Sequence, residues 1–221
     1  TAIGYNSLVT NVVGDFNTAV GYRALETSSA SDETGKNTAV GYTAGLLITT
    51  GINNTLIGSH TGDAVKTQSA NVAVGFDALG TSGTAADDGG RFNTAVGTYA
   101  LQSLDHSSAD ENVAMGYAAL NSAITVGGLV GIGAYAGYAA TAIGYNALVA
   151  MTGTAGNTYN TAIGSEAGAG LTTGINNTFV GSETGDATDD GNNNTAVGNE
   201  SLSANCGDHN TAVGYRTGRA V

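Results

Sequence analysis

One phrase, Asn-Thr-Ala-Val-Gly-Tyr-x-Ala-Leu, returns from one end of this chain to the other, and a chain that repeats itself folds by stacking its repeats. A full copy is Asn17 to Leu25. Its central glycine recurs at Gly4, Gly21, Gly41, Gly58, Gly75, Gly97, Gly116, Gly133, Gly144, Gly164, Gly181, Gly198 and Gly214. The basic step is 17 residues, with insertions and one short step after Gly133. The columns are strict. The residue before the glycine is Val, Ile or Met, as at Val20, Val40, Ile57 and Val74. Two before is Ala, except at Leu56, Gly131 and Phe179. Four before is Asn in ten of twelve copies, among them Asn17, Asn37, Asn54 and Asn71. Four after is only Leu or Gly. Residues 38–75 also resemble residues 161–198, so the array itself reads as duplicated.

A 17-residue period is too short for a helix pair, which takes 33 or more residues. Gly, Thr and Asn are poor helix formers, whereas Val, Ile, Thr and Tyr favour strands. The expected fold is all-β: a parallel β-solenoid, or β-roll, of about thirteen coils. Coils stacked about 4.8 Å apart would give a rod on the order of 60 Å. The whole chain, 1–221, reads as one continuous repeat region. It starts inside a repeat at Thr1, which points to a segment of something longer.

Alternation along the phrase puts Ala19 and Gly21 on one face, and Val20 and Tyr22 on the other. The expectation is that Val and Ile form an apolar ladder inside the coil. The Ala and Gly face then permits close approach of the opposite wall or of another chain. Asn fits a turn with left-handed backbone, and stacked Asn and Thr side chains can hydrogen-bond along the ladder. The Leu-or-Gly column is either core-filling or a tight turn. The structural ladder is thus Gly21, Gly41, Gly58, Gly75, Gly97, Gly116, Gly164, Gly181, Gly198 and Gly214, with the Val/Ile and Asn columns beside it.

Composition bears on partners. The chain has 35 Gly, no Pro and no Trp, and only 11% charged residues, against roughly 25% in ordinary soluble domains. A core of Ala and Val is thin, so repetition or partner subunits are needed to bury enough surface. Packing of the small-residue face between chains favours a homotrimer, with end-to-end stacking as a further mode of self-association. A net charge of −12 argues against nucleic acid, whose binding runs on Lys and Arg, and against an anionic membrane surface. No apolar run approaches the length of a membrane span. The insertions fall between the Leu/Gly column and the next Asn. They carry Glu26, Asp32, Glu33, Lys36, Asp87, Asp88, Arg91, Asp105, Asp110, Glu111, Asp186, Asp189 and Asp190.

No catalytic equipment is legible. His60, His106 and His209 lie at unrelated columns, and the Gly-rich phrases lack the Lys of a phosphate loop. No cofactor is expected. Asp186, Asp189 and Asp190 are weak calcium candidates, since calcium wants 6–8 oxygens. Cys206, the only cysteine, reads as a small buried residue, or as a crosslink to a neighbouring subunit. Asn53, Asn176, Asn193 and Asn199 head glycosylation sequons by chance composition. Tyr5, Tyr22, Tyr42, Tyr117, Tyr145 and Tyr215 share a column, as a ladder capping the core or as a carbohydrate-stacking row. An ice-binding face needs a flat array such as Thr-x-Thr, and the Thr column here is single and followed by Ala.

The tandem phrase resembles the repeats of long phage tail fibres and bacterial surface proteins. It is also similar to the head repeat of trimeric autotransporter adhesins. Those heads are left-handed parallel β-rolls within homotrimers, so the resemblance implies a left-handed, trimeric solenoid, extracellular, on a virion or cell-surface appendage. The adhesin repeat runs Asn-x-Val-Ala-Ile-Gly, one step longer than Asn37 to Gly41 here. The resemblance implies a structural shaft. The alternative is an adhesin head that binds host matrix protein or glycan through its solenoid surface.

Overall fold

The computed structural model describes residues 1–11, 16–28, 35–82, 90–104, 109–121, 127–137, 141–151 and 158–219. Every strand is short. In chain order they are β1 (Ala2–Ile3), β2 (Thr18–Val20), β3 (Thr38–Val40), β4 (Thr55–Ile57), β5 (Val72–Val74), β6 (Thr81–Ser82), β7 (Thr94–Val96), β8 (Ser103–Leu104), β9 (Val113–Met115), β10 (Val130–Ile132), β11 (Thr141–Ile143), β12 (Thr161–Ile163), β13 (Thr178–Val180), β14 (Thr195–Val197) and β15 (Thr211–Val213). Thirteen of them carry the Thr-Ala-Val segment of the repeat, one per copy. The fold is an all-β parallel solenoid with a period near 17 residues, and the chain divides into two compact units.

Unit one is Thr1–Ala114 with Asn121–Gly127. Its strands β1, β2, β3, β4, β5 and β7 pair in that order, all parallel. The register is column on column: Thr18 faces Thr38, Ala19 faces Ala39, and Val20 faces Val40. The insertions after β5 and β7 add a small second sheet, in which β6 pairs with β8 in parallel. Unit two is Met115–Leu120 with Gly128–Val221. There β10 to β15 pair consecutively in the same register. The short step after Gly133 is absorbed without loss of pairing, with Ile132 opposite Ile143.

The inside of the coil is the reverse of the sequence expectation. Ala19, Ala39, Ala73, Ala95, Ala142, Ala162 and Ala196 are fully buried, whereas Val20, Val40 and Val74 are only half-buried and Ile57 is 41% exposed. The alternation is real but its sense is inverted: Ala points inward and Val points out. The reason is volume. The Leu of the repeat (Leu25, Leu79, Leu101, Leu148, Leu202), with Ile48, Val65 and Leu171, already fills a narrow interior. A second branched side chain on the facing strand would overpack it.

The glycine column does not form a flat outer face. Each central glycine has φ between 125° and 145°, and a Cβ on Gly21 would overlap the Gly41 carbonyl of the next coil, as one on Gly41 would overlap that of Gly58. The close approach is between successive coils, and the backbone bends there as only glycine readily does.

Asn is not the left-handed residue either. That conformation falls on the residue before it: Phe16, Lys36, Asn53, Ala70, Phe92 and Glu111, at φ 48–63°. Asn itself turns inward and is buried. The Asn17 side-chain oxygen accepts the Asn37 backbone N–H at 2.9 Å, Asn37 accepts that of Asn54 at 2.9 Å, and Asn54 that of Asn71 at 3.0 Å. Each amide NH2 crosses the coil to a carbonyl, Asn37 to Gly51 at 2.8 Å and Asn54 to Gln68 at 2.9 Å. Unit two repeats this with Asn160, Asn177, Asn194 and Asn210. The expected Asn ladder exists. Among the described residues the Thr column makes no such ladder.

Candidate functional site

Ala inward leaves Thr and Val facing out together. In unit one the outer face of the sheet presents Thr18 with Val20, Thr38 with Val40, Thr55 with Ile57, Val72 with Val74, and Thr94 with Val96. In unit two it presents Thr141 with Ile143, Thr161 with Ile163, Thr178 with Val180, Thr195 with Val197, and Thr211 with Val213. None of these residues is charged. None of these Thr hydroxyls has a hydrogen-bond partner among the described residues. The result is a two-column array, Val, Ile or Met on one side and Thr on the other, with Val taking the Thr place at Val72, Val113 and Val130. It is the most regular surface the fold makes. The sequence reading missed it because Val and Ile were expected inside the coil.

Beyond the glycine bend the aromatic residues form a second row. It stands outside rather than capping the core, since Tyr5, Tyr22, Tyr42, Tyr117, Tyr145 and Tyr215 are all more than two-fifths exposed. Tyr5 stacks on Tyr22 (centroids 5.4 Å, planes 13° apart), and Tyr22 on Tyr42 (5.0 Å, 7°). Of the six coils that lack the aromatic in this column, three have a ring at the next residue, His60, Tyr99 and Tyr135, and the other three have Glu166, Glu183 and Glu200. His60 continues the row edge-on to Tyr42 and Phe76, and Phe76 meets Tyr99. In unit two Tyr117 meets Tyr135 at 5.3 Å. A sugar stacks on a free ring face, and both faces of Tyr22 are covered by its neighbours. The stacked stretch therefore offers ring edges rather than a sugar platform.

His60 is also where the fold gathers reactive groups that the sequence reading kept apart. Its Nδ1 lies 3.0 Å from Thr43 Oγ1 and 3.4 Å from Asp63 Oδ2. Both contacts use one ring nitrogen. A nucleophile–base–acid relay needs one on each nitrogen, so this cluster cannot relay a proton from Thr to Asp. Burial raises the Asp63 carboxyl pKa, and the His60 hydrogen bond opposes that rise.

The acidic candidates do not converge. Asp186 has one carboxylate oxygen buried with no partner, and burial, then the nearby Glu183 and Glu166, push its pKa up. Asp189 accepts from the Thr172 hydroxyl. Asp190 is exposed, and its backbone carbonyl accepts from Asn192 at 3.1 Å. No three Asp, Glu, His or Cys side chains among the described residues are placed to hold a metal ion. Asp32, Glu33, Asp87, Asp88, Asp105 and His106 lie outside the described residues. His209 is held through its backbone, donating to Asn192 at 2.9 Å. Cys206 is buried 3.3 Å from the Thr188 hydroxyl. Asn53, Asn176, Asn193 and Asn199 are exposed. Elsewhere in the insertions, Glu26 pairs with Arg23, and Asp110 accepts the Gly90 and Arg91 backbone N–H groups at 2.8 and 2.7 Å.

One open cleft of about 430 Å³ crosses successive turns of unit one and is lined by Ile52, Ala70, Thr67, Ser69, Arg91 and Phe92. It sets an exposed ring beside a guanidinium, a pairing common at binding surfaces. No helix among the described residues is long and apolar enough to cross a membrane. Comparison of the chain with protein-family models, curated proteins and solved structures finds no match.

Proposed function

We propose that this chain is a length of the structural shaft of an extracellular fibre, a phage tail fibre or a cell-surface appendage, without catalysis of its own. The observation that carries this reading is the outer Thr and Val/Ile array. An uncharged surface repeated in every coil, on a chain of net charge −12, suits burial against an equally periodic partner. Another copy of the same solenoid is such a partner. The seam we propose is therefore the Val/Ile face and not the Ala column, which is already consumed inside each coil. The trimeric state and the left hand follow from the likeness of the Asn-Thr-Ala-Val-Gly-Tyr phrase to adhesin-head and tail-fibre repeats. Virion or cell-surface localisation rests on the same likeness.

Sedimentation equilibrium tests the seam. Ile57→Lys with Val40→Lys, and separately Ile163→Lys with Val197→Lys, place charges on it without touching the interior. The expected outcome is a fall from trimer to monomer mass with unchanged far-ultraviolet circular dichroism. A wild-type chain that is monomeric at all concentrations would sink the reading.

One observation favours the alternative, an adhesin head binding host protein or glycan: the Phe92–Arg91 cleft. Glycan-array binding that is lost in Phe92→Ala would move the assignment to that reading.

A further inference from the structure

The aromatic row carries an inference that does not depend on the shaft reading. Tyr5, Tyr22 and Tyr42 belong to successive coils of unit one, and their rings are near parallel at 5.4 and 5.0 Å. All three are exposed to solvent. Their backbones are held in register by the β1–β2–β3 pairing and by the hydrogen bonds from Arg23 N–H to the Tyr5 carbonyl and from Thr43 N–H to the Tyr22 carbonyl, both 2.8 Å. The anchors of adjacent rings are thus fixed about one coil apart, on the order of 4.8 Å, while the rings can turn about their own side-chain bonds. A radical formed on one ring therefore has a second phenol already stacked against it.

We propose that Tyr5, Tyr22 and Tyr42 form an oxidative cross-linking site, in which dityrosine bonds staple successive coils of the solenoid. The co-reactant is a one-electron oxidant of the haem-peroxidase class with hydrogen peroxide. Each phenol loses one electron and its hydroxyl proton to give a phenoxyl radical. Two adjacent radicals join through a carbon–carbon bond between ring positions ortho to the oxygens. The hydrogens on those carbons then move to the oxygens, which restores two phenols. Two electrons and two protons leave per link, and they reduce one hydrogen peroxide to two waters. The rest of the row limits the reaction. His60 and Phe76 interrupt it beyond Tyr42, and exposed Tyr159 has no ring neighbour among the described residues.

The experiment mixes nitrogen-15-labelled and unlabelled full chains in denaturant, refolds them together so that any oligomer carries both labels, and oxidises them with a peroxidase and peroxide, followed by trypsin and mass spectrometry. Cleavage after Arg23, Lys36 and Lys66 leaves Tyr5 and Tyr22 in one peptide and Tyr42 in another. The expected products are the 1–23 peptide lighter by two hydrogens, and a 1–23/37–66 linked pair whose halves carry the same isotope label. Tyr22→Phe keeps the ring stack and removes the middle phenol, so both products should vanish. Tyr159→Phe should leave both unchanged. Links of mixed isotope label, or Tyr159 links as abundant as those of Tyr22, would overturn the site. So would survival of the 1–23/37–66 pair in Tyr22→Phe. The same-label criterion is read from isotopes and not from mass in solution, so it stands or falls apart from the trimer.

Discussion

At the scale of single residues, the Leu-or-Gly column shows how this interior is filled. Every Leu in it has left-handed backbone, with Leu25 at φ 50° and Leu202 at φ 50°. That conformation costs about 1–2 kcal/mol for a non-glycine residue. Full burial of the side chain returns about 1.5–3 kcal/mol, so Leu is retained where there is room. Gly45 and Gly62 flank Leu56, and Gly168 and Gly185 flank Phe179, the two coils in which the inward Ala is replaced by something larger. A Cβ on Gly185 would lie 2.7 Å from the Phe179 ring. The converse holds at Gly131, where the Leu120 side chain takes the space of the missing Ala. The departures from the repeat are therefore paired. Phe179→Ala should cost about 3–5 kcal/mol in urea unfolding, and Gly185→Leu alone should also destabilise. The double variant should recover at least about 1 kcal/mol over the sum. The duplicated coils differ in a second pair. His60 beside Asp63 is replaced by Glu183 beside Asp186. Because its folded-state pKa is raised, Asp186 favours the folded state only when protonated, and that contribution disappears as pH rises through the folded pKa. Asp186→Asn should therefore raise the thermal midpoint at neutral pH and have little effect in acid; Glu183→His should act in the same direction. After allowance for solvent the gain is under about 1 kcal/mol. Equal midpoints across the pH range would refute this account.

At the scale of the element, three residues of strand per coil are held by what flanks them. The Asn at each strand entrance has its backbone N–H, its side-chain oxygen and its amide NH2 all committed to the stack. Asn54→Ala would orphan the buried Asn71 N–H and the Gln68 carbonyl. At about 1–3 kcal/mol for each unsatisfied group, the loss should be about 3 kcal/mol, and hydrogen exchange should quicken at Asn71. Asn54→Asp should be no rescue, because a carboxylate accepts from Asn71 but cannot donate to Gln68. The Asn column was legible because an amide recurs just before the strand in ten of twelve copies. Its inward direction was not, since an exposed turn Asn has the same sequence signature. The short strands follow from the same residues: the glycine at their end bends the backbone away from extended pairing.

At the scale of the molecule, each unit is a stack in which a coil touches its two neighbours, as repeat proteins do, and the outer array is what remains for partners. If that array is the seam, association joins uncharged strips on acidic bodies. Added salt screens the repulsion between those bodies, so the trimer should tighten from low to physiological ionic strength. Weakening with salt would mean that ion pairs hold the seam. The period, the all-β solenoid, the parallel register and the columns of Gly and Asn were all legible in the amino-acid sequence. Each of these needs only that identical segments stack on one another. The tertiary structure decided which side of the strand faces inward, which aromatic rings touch, and that His60 meets Thr43 and Asp63. A two-residue alternation is symmetric between inside and outside. Only the volume left by the Leu column, four residues past each glycine and across the coil, breaks that symmetry in favour of Ala inside and Val out.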